Sequence, residues 1–343
     1  MDDQLERRFQ RHPASAASTW SGRVLVTGAA GFIGSHLSEQ LVAAGCEVVG
    51  LDCFTDYYER PLKRANLERL LEMPEFTFLE FDLSQDDLSG VLEGVSHVIH
   101  LAGQPGVRLS FGDGFASYVR HNVLATQRLL EEAVKHPVER FAYASSSSVY
   151  GDAPEYPTRE GSERRPVSPY GMTKVATEEV AAVYLRNFGV PVVGLRFFTV
   201  YGPRQRPDMA FTRFLQRAVT HQALPIIGTG RQVRDFTYVD DIVAGTILAA
   251  DRGRAGGVYN LGGGEPVELR EALDMISSLV GWPVRLEHRP GGIGEAKRTG
   301  CDGTLARTEL GFEPRVRLRD GLAAQMAWVL GEELAPIGLA AVA

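Results

Sequence analysis

The sequence predicts an α/β protein, a Rossmann-like doubly wound parallel sheet followed by a smaller C-terminal lobe. Three observations carry this. Short apolar strands alternate with amphipathic helices from about residue 23 to 195, the pattern of a parallel sheet covered on both faces. The strands read as nearly continuous apolar runs, as burial on both sides requires. The first of them leads straight into Gly28-x-x-Gly31-x-x-Gly34, a spacing that suits a tight strand-to-helix turn.

In chain order, strands are expected at 24–26, 48–51, 76–81, 97–101, 140–144 and 192–196. Helices are expected at 33–44, 115–135 and 170–188. The last opens on Ser168, a good N-cap, and Pro169, which suits the first helical position. Beyond 196 the chain is irregular and richer in Gly and Pro, with loops at 202–206, 228–234 and 289–294. The expected division is a first lobe over 23–195 that returns near 233–262. A substrate-binding lobe takes 196–232 and 263–332. Residues 1–22 and 333–343 are expected to be frayed tails.

The 343 residues suffice for a large core, and the apolar share of 44% is ordinary for a globular protein. A net charge of −7 gives no footprint for nucleic acid. Cys46, Cys53 and Cys301 lack metal-ligand spacing, so no metal is expected and the thiols are read as reduced, in the cytoplasm. No apolar run is long enough to span a bilayer, so no membrane partner is expected. The polar start lacks the apolar stretch of a signal peptide.

Glycine at 28, 31 and 34 lets the backbone approach a pyrophosphate, which then rests on the amides of the next helix. Phe32 and Ile33 lie in the same turn. Asp52 ends the next strand, where a carboxylate accepts both ribose hydroxyls and repels a 2′-phosphate, favouring NAD over NADP. Asp82, with Leu83 beside it, ends the third strand and is a candidate for the adenine; a plain capping role is equally open. Leu101, Ala102 and Gly103 end the fourth strand with side chains small enough for a close approach. His100 reads as a packed side chain.

Tyr170 and Lys174 fall on one helical face, one turn apart. A free phenol titrates near pH 10, about three units too high for a base at neutrality. A neighbouring ammonium and a positive nicotinamide both favour the phenolate. Tyr170 is therefore a candidate general base, with Lys174 as its cation. Four hydroxyls, Ser145 to Ser148, close the fifth strand, and one of them is placed to share a hydrogen bond with Tyr170 and a substrate alcohol.

With these residues in hand, the chain resembles the extended short-chain dehydrogenase/reductase superfamily, the NAD-dependent nucleotide-sugar epimerases and dehydratases. The motifs are GAAGFIGS at 28–35, HLAG at 100–103, SSSSVYG at 145–151, YGMTK at 170–174, RFFTVYGPRQR at 196–206 and RDFTYVDD at 234–241. The resemblance implies bound NAD, a nucleotide-diphosphate sugar and a homodimer built on the long helices of the first lobe. It places the catalytic hydroxyl on Ser146. Where dehydratases carry an Asp-Glu pair, this chain has Ser147 and Ser148, so dehydration is not expected. The Glu that UDP-sugar decarboxylases carry here is missing too. The segments at 51–58, 62–64, 102–108 and 196–210 are most similar to UDP-glucuronate 4-epimerases.

That subfamily implies a carboxylate site. Thr199 stands where UDP-glucose epimerases commonly place Asn, and Arg206 is a charged donor. Gln104 and Arg108 are further candidates for the sugar. Arg234 matches a pyrophosphate-binding Arg. Arg289 and Glu295 are expected at pyrophosphate and uridine ribose, although the segment from Arg289 to Glu295 is three residues longer than the family's and has Glu for Asp. The expected activity is inversion at carbon 4 of UDP-glucuronate. UDP-glucose/UDP-galactose epimerisation and uronate decarboxylation stay open as alternatives. Roles for Lys63, Arg213 and Arg231 are left open.

Overall fold

Strand β1 (Arg23–Thr27) has four of its five residues buried, because it runs through the centre of a covered sheet. Alternate side chains serve opposite faces. Val24 and Val26 join the apolar layer that holds Leu37 and Leu41. Leu25 joins the other layer, with Leu129 and Leu130. Burying each such side chain contributes about 2 kcal/mol. The computed structural model describes residues 20, 22–290, 296 and 298–337.

The central sheet has seven strands. Besides β1 they are β2 (Val48–Asp52), β3 (Phe76–Glu80), β4 (Val95–His100), β5 (Arg140–Ser146), β6 (Val192–Phe197) and β10 (Val258–Leu261). Their order is β10-β6-β5-β4-β1-β2-β3, and every pairing is parallel. The order reverses beside β1, and the crevice outside the strands' carboxyl ends at such a point is where ligands bind. Helices α1 (Phe32–Ala43) and α5 (Val239–Arg252) pack together on one face. Helices α2 (Ala125–Lys135) and α3 (Pro169–Phe188) pack together on the other.

The second lobe carries β7 (Thr199–Tyr201), helix α4 (Ala210–Val219), β8 (Leu224–Ile227), β9 (Val233–Tyr238), β11 (Glu265–Glu268), helix α6 (Leu269–Val280) and β12 (Leu286–Arg289). They form a three-stranded sheet, β11-β9-β7, and a two-stranded one, β12-β8. Helix α7 (Leu318–Ile337) packs on α4.

Three expectations change. The return to the first lobe begins at α5 (Val239) rather than near 233, because β9 pairs in the second lobe's sheet. The helix predicted over 115–135 is interrupted by a π-type turn at Val119–Leu124. There the carbonyl of Asn122 accepts the hydroxyls of Thr126 and Thr177 at 2.6 and 3.0 Å. The predicted loop over 228–234 ends early, because Val233 and Arg234 already belong to β9. The strand pairs with β7 on one side and β11 on the other, which satisfies its backbone.

Candidate active site

The carboxyl ends of the central strands and the inner edge of the second lobe enclose a cleft of about 910 Å³. One end is built by the glycine turn. Gly28 has φ +72°, a conformation that favours glycine. A Cβ on Gly34 would stand 2.1 Å from the carbonyl oxygen of Gly28, so helix and turn meet at van der Waals contact. Gly31 caps α1 without any side-chain hydrogen bond, which leaves the first-turn amides to a ligand.

Asp52 Oδ1 accepts the Phe54 amide at 2.8 Å. Burial raises its pKa, opposed by the Phe54 amide and the Lys63 ammonium. Asp82 Oδ1 accepts both the amide and the hydroxyl of Ser84, at 2.8 and 2.6 Å. Burial pushes Asp82 up, but these bonds and the charges of His121 and Arg120 prevail, so its pKa is lowered.

Helix α3 brings its pair to the cleft floor. Ser168 Oγ accepts the Gly171 amide at 3.1 Å and fixes the start of the helix. Lys174 is buried, and its Nζ donates to the carbonyl of Ala144 at 2.8 Å. Burial lowers the Lys174 pKa to about 8, with Glu178 acting the other way. Burial raises Tyr170, while a hydrogen bond with Ser146 and the charge of Arg206 lower it. Of the four serines, Ser146 is the one that acts on the Tyr170 pKa, and its Oγ accepts the Ser148 amide at 3.1 Å. Ser145 turns inward and donates to Glu178 at 2.5 Å. Ser147 and Ser148 line the cleft.

His100 is a packed side chain. Its Nδ1 meets Thr27 Oγ1 at 2.7 Å and its Nε2 meets Thr126 Oγ1 at 3.0 Å. Burial drives its pKa down to about 3, so it stays neutral.

The structure gathers Gly28, Gly31, Phe32, Ile33, Gly34, Asp52, Asp82, Leu83, Leu101, Ala102 and Gly103 with Tyr170 and Lys174 along one cleft. Gln104, Arg108, Ser146, Ser147, Ser148, Thr199, Arg206 and Arg234 line it as well. Lys63 and Arg213 also face it. Arg289 does not reach it: the side chain is exposed and lies against Glu287 at 3.3 Å. Glu295 lies outside the described residues.

Some lining or supporting residues had not been singled out, and Lys63 had been left without a role. Asn122 accepts the Gln104 amide at 2.7 Å and donates to Thr173 Oγ1 at 3.0 Å, pinning the 103–104 turn to α3. Tyr57 and Asp208 meet across the cleft, the phenol donating to the carboxylate at 3.1 Å. Lys63 Nζ donates to the Thr55 carbonyl at 2.6 Å. The Tyr57-Tyr58 run was in view, but nothing local told which partner it meets.

An uncapped helix start behind a glycine cradle, at one end of a cleft that also holds a Tyr/Lys pair, defines the site of a dinucleotide-dependent enzyme. Residues 24–262 match the NAD dependent epimerase/dehydratase family, and the chain belongs to it. It is 42% identical to the uncharacterised UDP-glucose epimerase YtcB of Bacillus subtilis, over 90% of this chain and 98% of that one. The UDP-glucuronate 4-epimerase of Thermodesulfobacterium geofontis is 35% identical, over 90% and 96%. The crystal structure of UDP-glucuronic acid 4-epimerase from Bacillus cereus, in complex with UDP-glucuronic acid and NAD, aligns with a TM-score of 0.88 at 40% identity, covering 90% of this chain and 99% of that one.

The cofactor is NAD, and the site fits it. The Gly34 contact leaves no room for a side chain between turn and helix, the α1 amides are uncapped, and Asp52 offers a carboxylate at the end of β2.

Proposed function

We propose that the protein inverts carbon 4 of a UDP-linked uronate, converting UDP-glucuronate to UDP-galacturonate. One observation carries the reading. The Tyr170, Ser146 and Lys174 floor shares a cleft with Thr199 and Arg206, close enough for the Arg206 charge to act on Tyr170. A proton-transfer group and a carboxylate receptor thus serve one sugar. The relatives named for UDP-glucuronate support the same substrate.

In this reading Asp52 holds the adenosine ribose, Asp82 the adenine, and the amides of α1 the pyrophosphate. NAD held there would supply the hydride acceptor and donor for carbon 4. Tyr170 takes the 4-hydroxyl proton, steadied by Ser146, and later gives it back. Lys174 favours the phenolate. Gln104, Arg108, Ser147 and Ser148 line the path of the sugar, and Arg234 holds the diphosphate. The serines at 147 and 148 are poor acids and bases, which disfavours dehydration.

A 4-keto uronate is a β-keto acid and loses carbon dioxide when the breaking bond stands perpendicular to the carbonyl plane. Thr199 and Arg206 keep the carboxylate away from that geometry. The free thiols of Cys53 and Cys301 support a cytoplasmic setting, which cell fractionation reads directly. Among the described residues no helix is long and apolar enough to cross a membrane.

The test is a proton NMR time course of the purified protein with UDP-glucuronate and no added NAD. UDP-galacturonate is the expected product. A pentose product would mean decarboxylation. Conversion of UDP-glucose alone would remove the carboxylate site and favour the neutral-sugar reading that the YtcB likeness suggests.

A further inference from the structure

Arg206 is the cation of the proposed carboxylate site, and it already has a partner. Its Nε and Nη2 donate to the two oxygens of Asp208 at 3.0 Å each. The same carboxylate accepts the Tyr57 hydroxyl at 3.1 Å. The Tyr57 ring lies 5.4 Å from the guanidinium carbon. Arg206 is therefore clamped in its plane by a residue two positions away and by an aromatic ring from the opposite lobe. Its side chain is 18% exposed, while that of Asp208 is 41% exposed.

A guanidinium offers five N–H groups in a rigid fork. Asp208 occupies the edge made by Nε and Nη2. Among the described residues the edge made by Nη1 and the second N–H of Nη2 has no hydrogen-bond partner. A guanidinium edge of that kind has the geometry to accept a second carboxylate in bidentate fashion. The clamp thus aims Arg206 while leaving its outer fork to a ligand.

Charge adds a second consequence. Epimerisation requires the keto sugar to turn over between two hydride transfers, so its carboxylate has to be released and taken up again. An unpaired guanidinium in a sheltered cleft would hold that carboxylate too firmly. With Asp208 on its other edge, the receptor is close to neutral, and the incoming anion feels a repulsion that offsets part of the attraction.

We propose that Asp208 is a positioning and specificity residue of this site: it aims Arg206 at the sugar carboxylate and weakens the grip enough for the ring to turn. The proposal rests on the uronate reading above.

The experiment compares Asp208→Asn with the parent protein. The amide keeps an acceptor for Arg206 and removes the charge. Binding is measured by calorimetry in a Tyr170→Phe background, where turnover does not intrude, with UDP-glucuronate and with UDP-glucose. Asp208→Asn is expected to bind UDP-glucuronate about fivefold tighter, with UDP-glucose unchanged within about twofold. With Tyr170 intact, KM for UDP-glucuronate falls and kcat falls with it, since the tighter complex turns more slowly.

The unchanged UDP-glucose affinity shows that the variant folds. Weaker UDP-glucuronate binding, equal shifts for both ligands, or no shift overturns the proposal. If the parent protein itself leaves UDP-glucuronate unconverted, the uronate reading fails first. If the parent converts it and Asp208→Asn behaves as the parent does, only the role of Asp208 fails.

Discussion

Tyr170 and Lys174 sit where burial works against both of their charged forms. Burial pushes the phenol up and the ammonium down to about 8. A lowered amine pKa means that the neutral form appears earlier as pH rises. Above about 8 Lys174 sheds its proton, and in the proposed mechanism the phenolate then loses its cation. The kcat/KM for UDP-glucuronate is therefore expected to decline on the alkaline side near pH 8. Lys174→Met should cost about 100-fold or more in kcat and abolish that alkaline limb. A limb that persists unchanged in the variant would assign it to another group. These two residues were readable in the sequence because one helical turn joins them and Ser168-Pro169 marks the start of the helix. Asp208 and Tyr57 were not, because their contact spans 151 positions. Arg289 shows the opposite failure. A short, fully exposed edge strand carries it, beside Glu287 two positions earlier on the same strand.

At the scale of elements, six of the seven strands of the central sheet were foreseen to within two residues at each end, because burial on both faces writes apolar runs; the edge strand β10 was not. The strands of the second lobe were not foreseen. They are three to six residues long, and several carry proline or charge, as in Leu224–Ile227 and Glu265–Glu268. Their pairing depends on partners far along the chain. The helix layer of the first lobe raises a different matter. Met172 and Val183 lie three turns apart on α3 and are 46% and 41% exposed. Leu124, at the end of the π-type turn that leads into α2, is 43% exposed. Apolar side chains on adjoining helices make a face suited to a second copy of the chain. We propose a homodimer built on α2 and α3. Light scattering after size exclusion should give twice the chain mass, and Val183→Glu with Leu124→Glu should give the monomer. A parent protein that elutes at monomer mass at micromolar concentration would exclude this interface.

At the scale of the whole molecule, one buried ion pair joins the helix that carries the site to the strands behind it. Arg196 on β6 donates through Nε and Nη2 to the two oxygens of Glu178 on α3, at 2.8 and 2.7 Å. Both residues are 4% exposed. Arg196 Nη1 reaches the Tyr150 hydroxyl at 2.7 Å and the Glu160 carbonyl at 2.9 Å. Tyr150 in turn donates to Asn260 on β10 at 2.6 Å. The network thus ties α3, β6, β10 and the long segment before α3 into one unit. Removing one member of such a pair leaves a buried charge without its counterpart, at a cost of about 3–5 kcal/mol. Glu178→Gln should therefore lower the urea midpoint substantially. The same change should reach the chemistry, since Glu178 raises the Lys174 pKa. Without that charge Lys174 loses its proton at lower pH, and the alkaline limb of kcat/KM should move below about 8. A second substitution separates the two effects. Arg196→Met in the Glu178→Gln background removes the orphaned charge, so stability should recover in part. The displaced alkaline limb should stay, because the missing carboxylate is what displaced it. If the limb returned together with stability, packing of α3 rather than the Glu178 charge would be setting the Lys174 pKa.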